Sequence, residues 1–249
     1  MPLESPLAPV AERVADLNRV YVHHSGTSVL ERALSDPQVG TTALMSSFGA
    51  ESVVLLHMVS VIDRTMPVLF LDTEMLFPET LDYQREVAEK LRLTNVQVIG
   101  PDRDLTFLND PNNRLNATNP DACCAMRKTE PLQRALEPFD AWITGRKRFQ
   151  GGKRTDLPFF EADGENRIKI NPLAHFTRED VQDYILNNRL PRHPLVAKGY
   201  ASIGCAPCTT RIAENEDIRA GRWRGQDKSE CGIHIVDGAA VRRIKEVAQ

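Results

Sequence analysis

Five cysteines fall in three groups, and their spacing limits the chemistry open to them. Cys123 and Cys124 are adjacent, Cys205 and Cys208 bracket Ala-Pro, and Cys231 stands alone in Lys-Ser-Glu-Cys-Gly-Ile-His near the C-terminus. An isolated cysteine is most often a small buried hydrophobe. A tandem pair together with a CxxC instead offers four thiolates to a metal and leaves the fifth as a reactive thiol. Tetrahedral zinc, with Zn–S bonds of about 2.3 Å, would hold its sulfurs roughly 3.8 Å apart, whereas side chains on adjacent residues diverge. A [4Fe-4S] cubane places one thiolate on each of four irons, so a divergent pair and a CxxC can each span one edge. Iron-sulfur is therefore favoured over zinc. A thioredoxin-like dithiol at Cys205 and Cys208 is a third reading, but no Trp precedes Cys205 and the tandem pair would be left unexplained.

An odd cysteine count fits poorly with a disulfide framework, and Met-Pro-Leu-Glu-Ser-Pro lacks the charged start and apolar core of a signal peptide. Both features lead us to expect a cytoplasmic protein with reduced thiols. Among 249 residues, 41% are hydrophobic and 26% charged, enough to bury a full core. The net charge of −3 argues against a general nucleic-acid surface, and no apolar run approaches the roughly 18 residues of a membrane span. The partners expected are a small anionic substrate and no nucleic acid or membrane, with a homo-oligomer allowed.

The elements that must position these thiols alternate along the chain. Thr41 to Met45 reads as a short buried strand, followed by a loop of small residues and an apolar helix over Glu51 to Ile62. Val68 to Leu71 is a second strand, Phe77 to Leu91 a helix with Pro78 near its start, and Val96 to Ile99 a third strand. Cys123 to Leu136 reads as helical, Ala141 to Thr144 as a strand running into Gly-Arg-Lys-Arg, and Ile168 to Ile170 as a further strand. Thr177 opens a helix to Asn188 with a capping-box-like Thr-Arg-Glu-Asp. This order predicts an α/β fold with a doubly wound, mainly parallel sheet and helices on both faces. Residues 1–40 are expected to be an N-terminal helical segment, 41–198 the α/β sheet domain, and 199–249 a C-terminal CxxC lobe and tail packed on that domain.

In such sheets the ligand crevice lies beyond the carboxyl ends of the strands. Three loops reach it here: Ser46–Ser52, Asp72-Thr73-Glu74, and Gly145–Arg154. The first offers hydroxyls and backbone N–H groups at a helix start, a way to cradle an anion without lysine, although a capped helix start would read the same. It matches neither GxxxxGK[ST] nor GxGxxG, so ordinary NTPase and dinucleotide readings are disfavoured. The basic residues cluster beside candidate site elements: Arg127 and Lys128 after the cysteine pair, Arg146, Lys147, Arg148 and Arg154 around a glycine-containing loop, Arg219 and Arg222 after the CxxC. Together they could neutralise a phosphate-type ligand with several charges.

Cys-Cys-x-x-x-Lys, the strand-end Leu-Asp-Thr with Leu-Phe-Pro-Glu-Thr, Trp-Ile-Thr-Gly-Arg-Lys-Arg, Cys-x-x-Cys and Glu-Cys-Gly-Ile-His together resemble the assimilatory sulfonucleotide reductases, over about Leu44 to His234. Ser47–Ser52 resembles that family's modified pyrophosphate loop, departing from SGGxDS at Phe48 and Ala50. The fold implied is that of the adenine nucleotide alpha hydrolases, related to the ATP pyrophosphatases. Having all four clustered cysteines, the chain resembles the adenylyl-sulfate (APS) branch more than the 3′-phosphoadenylyl-sulfate (PAPS) branch, many of whose members lack them. The resemblance implies a [4Fe-4S] cluster on Cys123, Cys124, Cys205 and Cys208, and Cys231 as the nucleophile. It implies an adenylyl site built from Ser46, Ser47, Phe48, Gly49, Ser52, Leu71, Asp72 and Thr73. Lys128, Arg148, Arg154, Arg219, Arg222 and His234 would face the phosphosulfate, with Lys128 and His234 also serving catalysis.

The mechanism implied is attack of the Cys231 thiolate on the sulfate sulfur of APS, loss of AMP, and release of sulfite when reduced thioredoxin attacks Cys231 Sγ. A cysteine of pKa near 8.5 is only about 10% ionised at pH 7.5, so cationic neighbours and His234 would serve to raise the thiolate fraction. Iron-sulfur enzymes acting on PAPS, or on both nucleotides, carry the same cysteines. A tRNA-thiolating ATP pyrophosphatase would need an intact SGGxDS loop and a basic RNA surface; a metal-dependent regulator would need a DNA-binding helix pair. Neither set of features is found in this sequence.

Overall fold

The computed structural model describes residues 7–226, 228 and 230–233. Two helices, α1 (Val10–Tyr21) and α2 (Gly26–Ala33), precede strand β1 (Thr42–Ser46). Then follow α3 (Ser52–Ile62), β2 (Val68–Leu71), α4 (Pro78–Leu91) and β3 (Val96–Ile99). Three short helices, α5 (Arg103–Asn109), α6 (Leu115–Thr118) and α7 (Pro120–Cys124), lead to α8 (Glu130–Leu136) and β4 (Ala141–Ile143). The antiparallel pair β5 (Phe160–Asp163) and β6 (Arg167–Ile170) and helix α9 (Arg178–Asn187) follow.

Among the described residues the six strands form one sheet in the order β3-β2-β1-β4-β6-β5, parallel except at the β5–β6 edge. The alternation of side chains along each strand divides the core in two. Leu44, Val68, Phe70, Ala141, Ile143, Ile168 and Ile170 point to the larger core under α1, α2, α3, α4 and α9. Ala43, Met45, Leu69, Leu71 and Trp142 point to the smaller one, closed by Leu132 and Leu136 of α8. Both faces are covered, which is why the central strands are apolar in both registers. Helix α3 is apolar on nearly every side for the same reason: it touches α2, α4 and α9 as well as the sheet.

Thr177 caps α9 as expected, its side chain accepting from Asp180 N while Asp180 accepts from Thr177 N. The structure departs from the sequence expectations in two places. Strand β5 was not anticipated, because Phe-Glu-Ala-Asp has little β character, although the Asp163-Gly164 step that follows is a hairpin signal. The helix expected over Cys123–Leu136 is interrupted by a π-helical turn, Ala125–Thr129. Pro131 supplies a reason: it cannot donate to the carbonyl of Arg127, and its ring crowds that carbonyl, so the ladder widens just before it.

Beyond α9 the chain is held by turns and isolated pairings. Cys205 forms an antiparallel bridge with Leu76 and Thr209 one with Arg222, while Ala206 N donates to Met75 O at 2.8 Å. The CxxC segment is thereby laid against the loop that leaves β2.

Candidate active site

The chain leaves β1 toward β2 on one side, and β4 lies on the other, so the loops after β1 and β4 diverge and open a crevice between them. A cavity of about 210 Å³ occupies this position. Of the residues singled out in the sequence, Ser46, Ser47, Gly49 and Ser52 line it from the loop after β1, and Leu71 and Thr73 from the end of β2. Lys128 reaches it from the π-turn, Arg154 from the loop after β4, and Arg219, Arg222 and Cys231 from the C-terminal segment.

Phe48, Asp72 and Arg148 do not line the cavity. Phe48 is fully buried and meets Phe70 edge to face at 5.2 Å, anchoring a loop whose backbone it holds at φ 46°. A positive φ is costly for a non-glycine residue, and aromatic burial offsets it. Asp72 turns its carboxylate onto Glu74 N at 2.9 Å, an Asx turn that shapes the β2 exit. Arg148 is exposed and donates Nε to Leu157 O. His234 lies outside the described residues.

Within the β1 loop, Ser46 Oγ accepts from Phe48 N at 3.2 Å and Ser52 Oγ from Gly49 N at 2.9 Å. These bonds, with Ser52 N donating to Gly49 O and Val54 N to Glu51 O, fix the turn that brings the start of α3 to the crevice. Gly49 fits closely, since an added Cβ would stand 3.3 Å from Ile203 O.

Position alone could not separate the basic residues, but their partners do. Arg127 is fully buried and turned away from the cavity: it donates to Thr73 O at 3.0 Å, to Asp110 at 3.1 Å and to Asn113 at 2.8 Å, tying the π-turn to the β2 exit. Its neighbour Lys128 faces the cavity. Burial alone would lower the Lys128 pKa, but the negative charge that nearby Cys205, Cys231 and Cys124 carry as thiolates outweighs it and shifts it upward. Arg146 and Lys147, not Arg148, are the cavity residues of the Gly-Arg-Lys-Arg loop. Arg146 pairs with Glu161 and Asn171, and its pKa is lowered to about 10 by burial, with Arg154 adding to the effect. Lys147 pairs with Glu51 at 3.0 Å. Arg154 forms a two-pronged pair with Glu230, at 2.7 and 2.8 Å, and Arg219 reaches the same carboxylate at 3.4 Å. Arg222 stacks on Trp223, 4.3 Å from its ring, with its buried Nε lacking an acceptor.

The four remaining cysteines gather behind Lys128. Cys123, Cys124 and Cys205 are buried and Cys208 half-buried. Burial pushes the Cys123 thiol up to about 12, with Cys124, Cys205 and Cys208 all near enough to contribute. Cys124 and Cys208 are also raised, chiefly by burial. Thr73 Oγ1 stands 3.2 Å from Cys205 Sγ. Among the described residues, no three His, Cys, Asp or Glu side chains converge as ligands of a single metal ion. A thiolate set in so secluded a place requires a cationic partner to offset its desolvation.

The doubly wound sheet, with a cationic, thiol-bearing cavity at its switch point, has the α/β fold of the adenine nucleotide alpha hydrolase type. The model of the phosphoadenosine phosphosulfate reductase domain matches residues 41–211, and the chain belongs to that family. It is 50% identical to an adenosine 5′-phosphosulfate reductase of Mesorhizobium japonicum over 226 residues, covering 91% of this chain and 89% of the relative. It is 42% identical to a phosphoadenosine 5′-phosphosulfate reductase of Gloeobacter violaceus, covering 77% of this chain and 81% of that one. The crystal structure of phosphoadenylyl-sulfate reductase from Candida auris, a phosphate complex, superposes with a TM-score of 0.69 at 29% identity, covering 83% of this chain and 99% of that chain. Among the described residues no helix is long and apolar enough to cross a membrane.

Proposed function

We propose that this chain is an oxidoreductase acting on sulfur, which reduces APS to sulfite and AMP in sulfate assimilation. The observation that carries this reading is that Cys231, the cysteine outside the group of four, lines the same cavity as the loop after β1 and the basic side chains. The family membership and the 50% identical relative support it.

In the reaction, Cys231 Sγ attacks the sulfate sulfur, the bond from that sulfur to the phosphate oxygen breaks, and AMP departs with its charge held by basic residues. The enzyme then carries S-sulfocysteine at Cys231. One thiol of reduced thioredoxin attacks Cys231 Sγ and expels sulfite; its second thiol resolves the mixed disulfide, so the two electrons come from a dithiol that ends as a disulfide. The proposed chemistry needs its thiols reduced, which a cytoplasmic setting would supply. Lys128 lines the cavity with Cys231 and would face both the substrate anion and the thiol, and His234, three residues beyond Cys231, is assigned to assist the thiolate.

Cys123, Cys124, Cys205 and Cys208 would hold a [4Fe-4S] cluster. The donor set fits it: three buried thiols and the half-buried Cys208 lie within charge range of Cys123, one thiolate for each of four irons. When bound, such a cluster offsets the buried thiolate charge and orders the Cys123–Lys128 segment.

The test is sulfite release from APS with reduced thioredoxin, run in parallel with PAPS. We expect kcat/KM to favour APS. The Gloeobacter violaceus relative, named for PAPS, gives the competing reading its weight; a preference for PAPS would overturn the substrate assignment.

A further inference from the structure

Six basic side chains line the cavity, Lys128, Arg146, Lys147, Arg154, Arg219 and Arg222, against two acidic ones, Glu51 and Glu230. Glu51 belongs to Lys147. Glu230 is different, because it comes from the segment that carries Cys231, its immediate neighbour in sequence. Its carboxylate takes both prongs of Arg154 and a third contact from Arg219, with the Arg154 and Glu230 side chains only 9% and 15% exposed. An arginine fork that fits a carboxylate in this way also fits two oxygens of a phosphate or sulfate. The carboxylate therefore lies where the cavity is built to take an anion.

The same segment has two other attachments that involve no cavity cation. Lys228 pairs with Asp121 of α7, and Ile233 packs against the smaller core beneath α8. Loss of the Glu230 contact alone would thus loosen the segment and let Cys231 shift without detaching it.

We propose that Glu230 is a positioning residue that holds the Cys231 segment on the arginines needed by the anionic end of the substrate, so that nucleotide binding and the Glu230–Arg154–Arg219 contact compete. This rests on the reading that the cavity takes APS. Competition is reciprocal: whatever the nucleotide displaces also opposes the nucleotide. In the empty enzyme the carboxylate keeps the thiol over the cavity and neutralises the arginines. Once the anion has taken them, Cys231 is released to adjust toward the sulfur.

The experiment uses the full chain with Cys231→Ser to prevent turnover. AMP binding is followed by the fluorescence of Trp223, which lines the cavity. Tryptic cleavage after Lys228, which is 7% exposed when paired, reports release of the segment. Glu230→Gln should lower the Kd for AMP by about threefold to tenfold, the range expected for removing a competing charge-assisted contact. It should also speed cleavage without ligand, whereas the parent variant should be cleaved faster only when AMP is added. Asp121→Asn should speed cleavage yet leave the AMP Kd unchanged, separating simple tethering from competition. In the active enzyme Glu230→Gln should lower both KM for APS and kcat. An AMP Kd that is unchanged or raised by Glu230→Gln would overturn the proposal. Failure of the parent variant to bind AMP at all would instead overturn the assignment of the cavity to the nucleotide.

Discussion

The loops at the ends of β1, β2 and β4 and the segment beyond α9 line one cavity, yet different forces hold them there. The strand-end loops grow out of a sheet buried on both faces, and their shape is fixed by side chains sunk in its core, Phe48 above all. The C-terminal segment has few such anchors. It is laid down by isolated bridges, short turns, and ion pairs at Lys228 and Glu230. A preformed cavity and a weakly fastened thiol suit the proposed reaction, whose nucleophile would first meet a small molecule and then a protein. The contrast predicts that damage to each region breaks a different half of the chemistry.

The largest effect should come from the segment. Cys231→Ser removes the proposed nucleophile while leaving the strand-end loops untouched. Sulfite formation should fall by more than about a thousandfold, with AMP binding retained. Mass spectrometry of wild-type enzyme incubated with APS but without thioredoxin should place one sulfonate on the peptide containing Cys231. An adduct on another cysteine, or turnover surviving in Cys231→Ser, would break the division of labour drawn here.

Next is the group of thiols joining the two regions. Cys205 bridges to Leu76 and its sulfur lies beside Thr73, so Cys205→Ser attacks the joint itself. We expect the iron content of anaerobically purified protein to drop from about four per chain to near zero. A lowered thermal midpoint should accompany the loss, since cluster binding is coupled to local folding. Stoichiometric zinc in the wild type, from cells supplied with iron, would sink the cluster assignment.

A smaller effect should follow from Gly204→Ala. A Cβ there would overlap the Arg222 guanidinium, which cannot easily retreat because it stacks on Trp223. Displacing one cation from the cavity should raise KM for APS roughly fivefold, about 1 kcal/mol. The far-UV circular dichroism should not change. An unaltered KM would show that Arg222 does not meet substrate.

The strands were legible in the sequence wherever both faces are buried, because Val68–Leu71 or Ala141–Ile143 can only be apolar runs. Strand β5 was not, since an edge strand needs little apolar character and Phe-Glu-Ala-Asp supplies one large hydrophobe. The cysteine grouping and the strand-end loops could be read from spacing. What spacing could not give was direction: Arg127 and Lys128 are neighbours, but the π-turn sends one into a buried network and the other into the cavity. Likewise Arg146 and Lys147 face inward and Arg148 outward, set by the turn after β4. Glu230 carried no signal beyond its place beside Cys231, because its role depends on arginines 76 and 11 residues away.

The mildest test bears on the hinge between the regions, where Pro191–Pro194 leads from α9 toward the C-terminal segment. His193 is buried there at 1% exposure; its Nδ1 accepts from Leu195 N at 3.2 Å, which leaves the proton on Nε2, facing Thr80 Oγ1 at 3.0 Å. Burial lowers its pKa to about 4, with the Glu79 charge acting in the opposite sense. Because the folded pKa lies below the unfolded value of about 6.5, the unfolded chain binds the extra proton first. Its contribution to stability is therefore present above about pH 6.5 and is lost as pH falls toward 4. Between pH 7 and pH 5 the loss should be about 2 kcal/mol, or about 4–8 °C in thermal midpoint for a chain of this size. His193→Gln, which keeps a donor for Thr80 but does not titrate, should flatten that slope while leaving turnover at pH 7 within about twofold. If the slope survives the substitution, the acid sensitivity resides elsewhere. If the slope flattens but turnover at pH 7 collapses, the hinge is part of what seats Cys231, and the two regions are coupled more tightly than their separate fastenings imply.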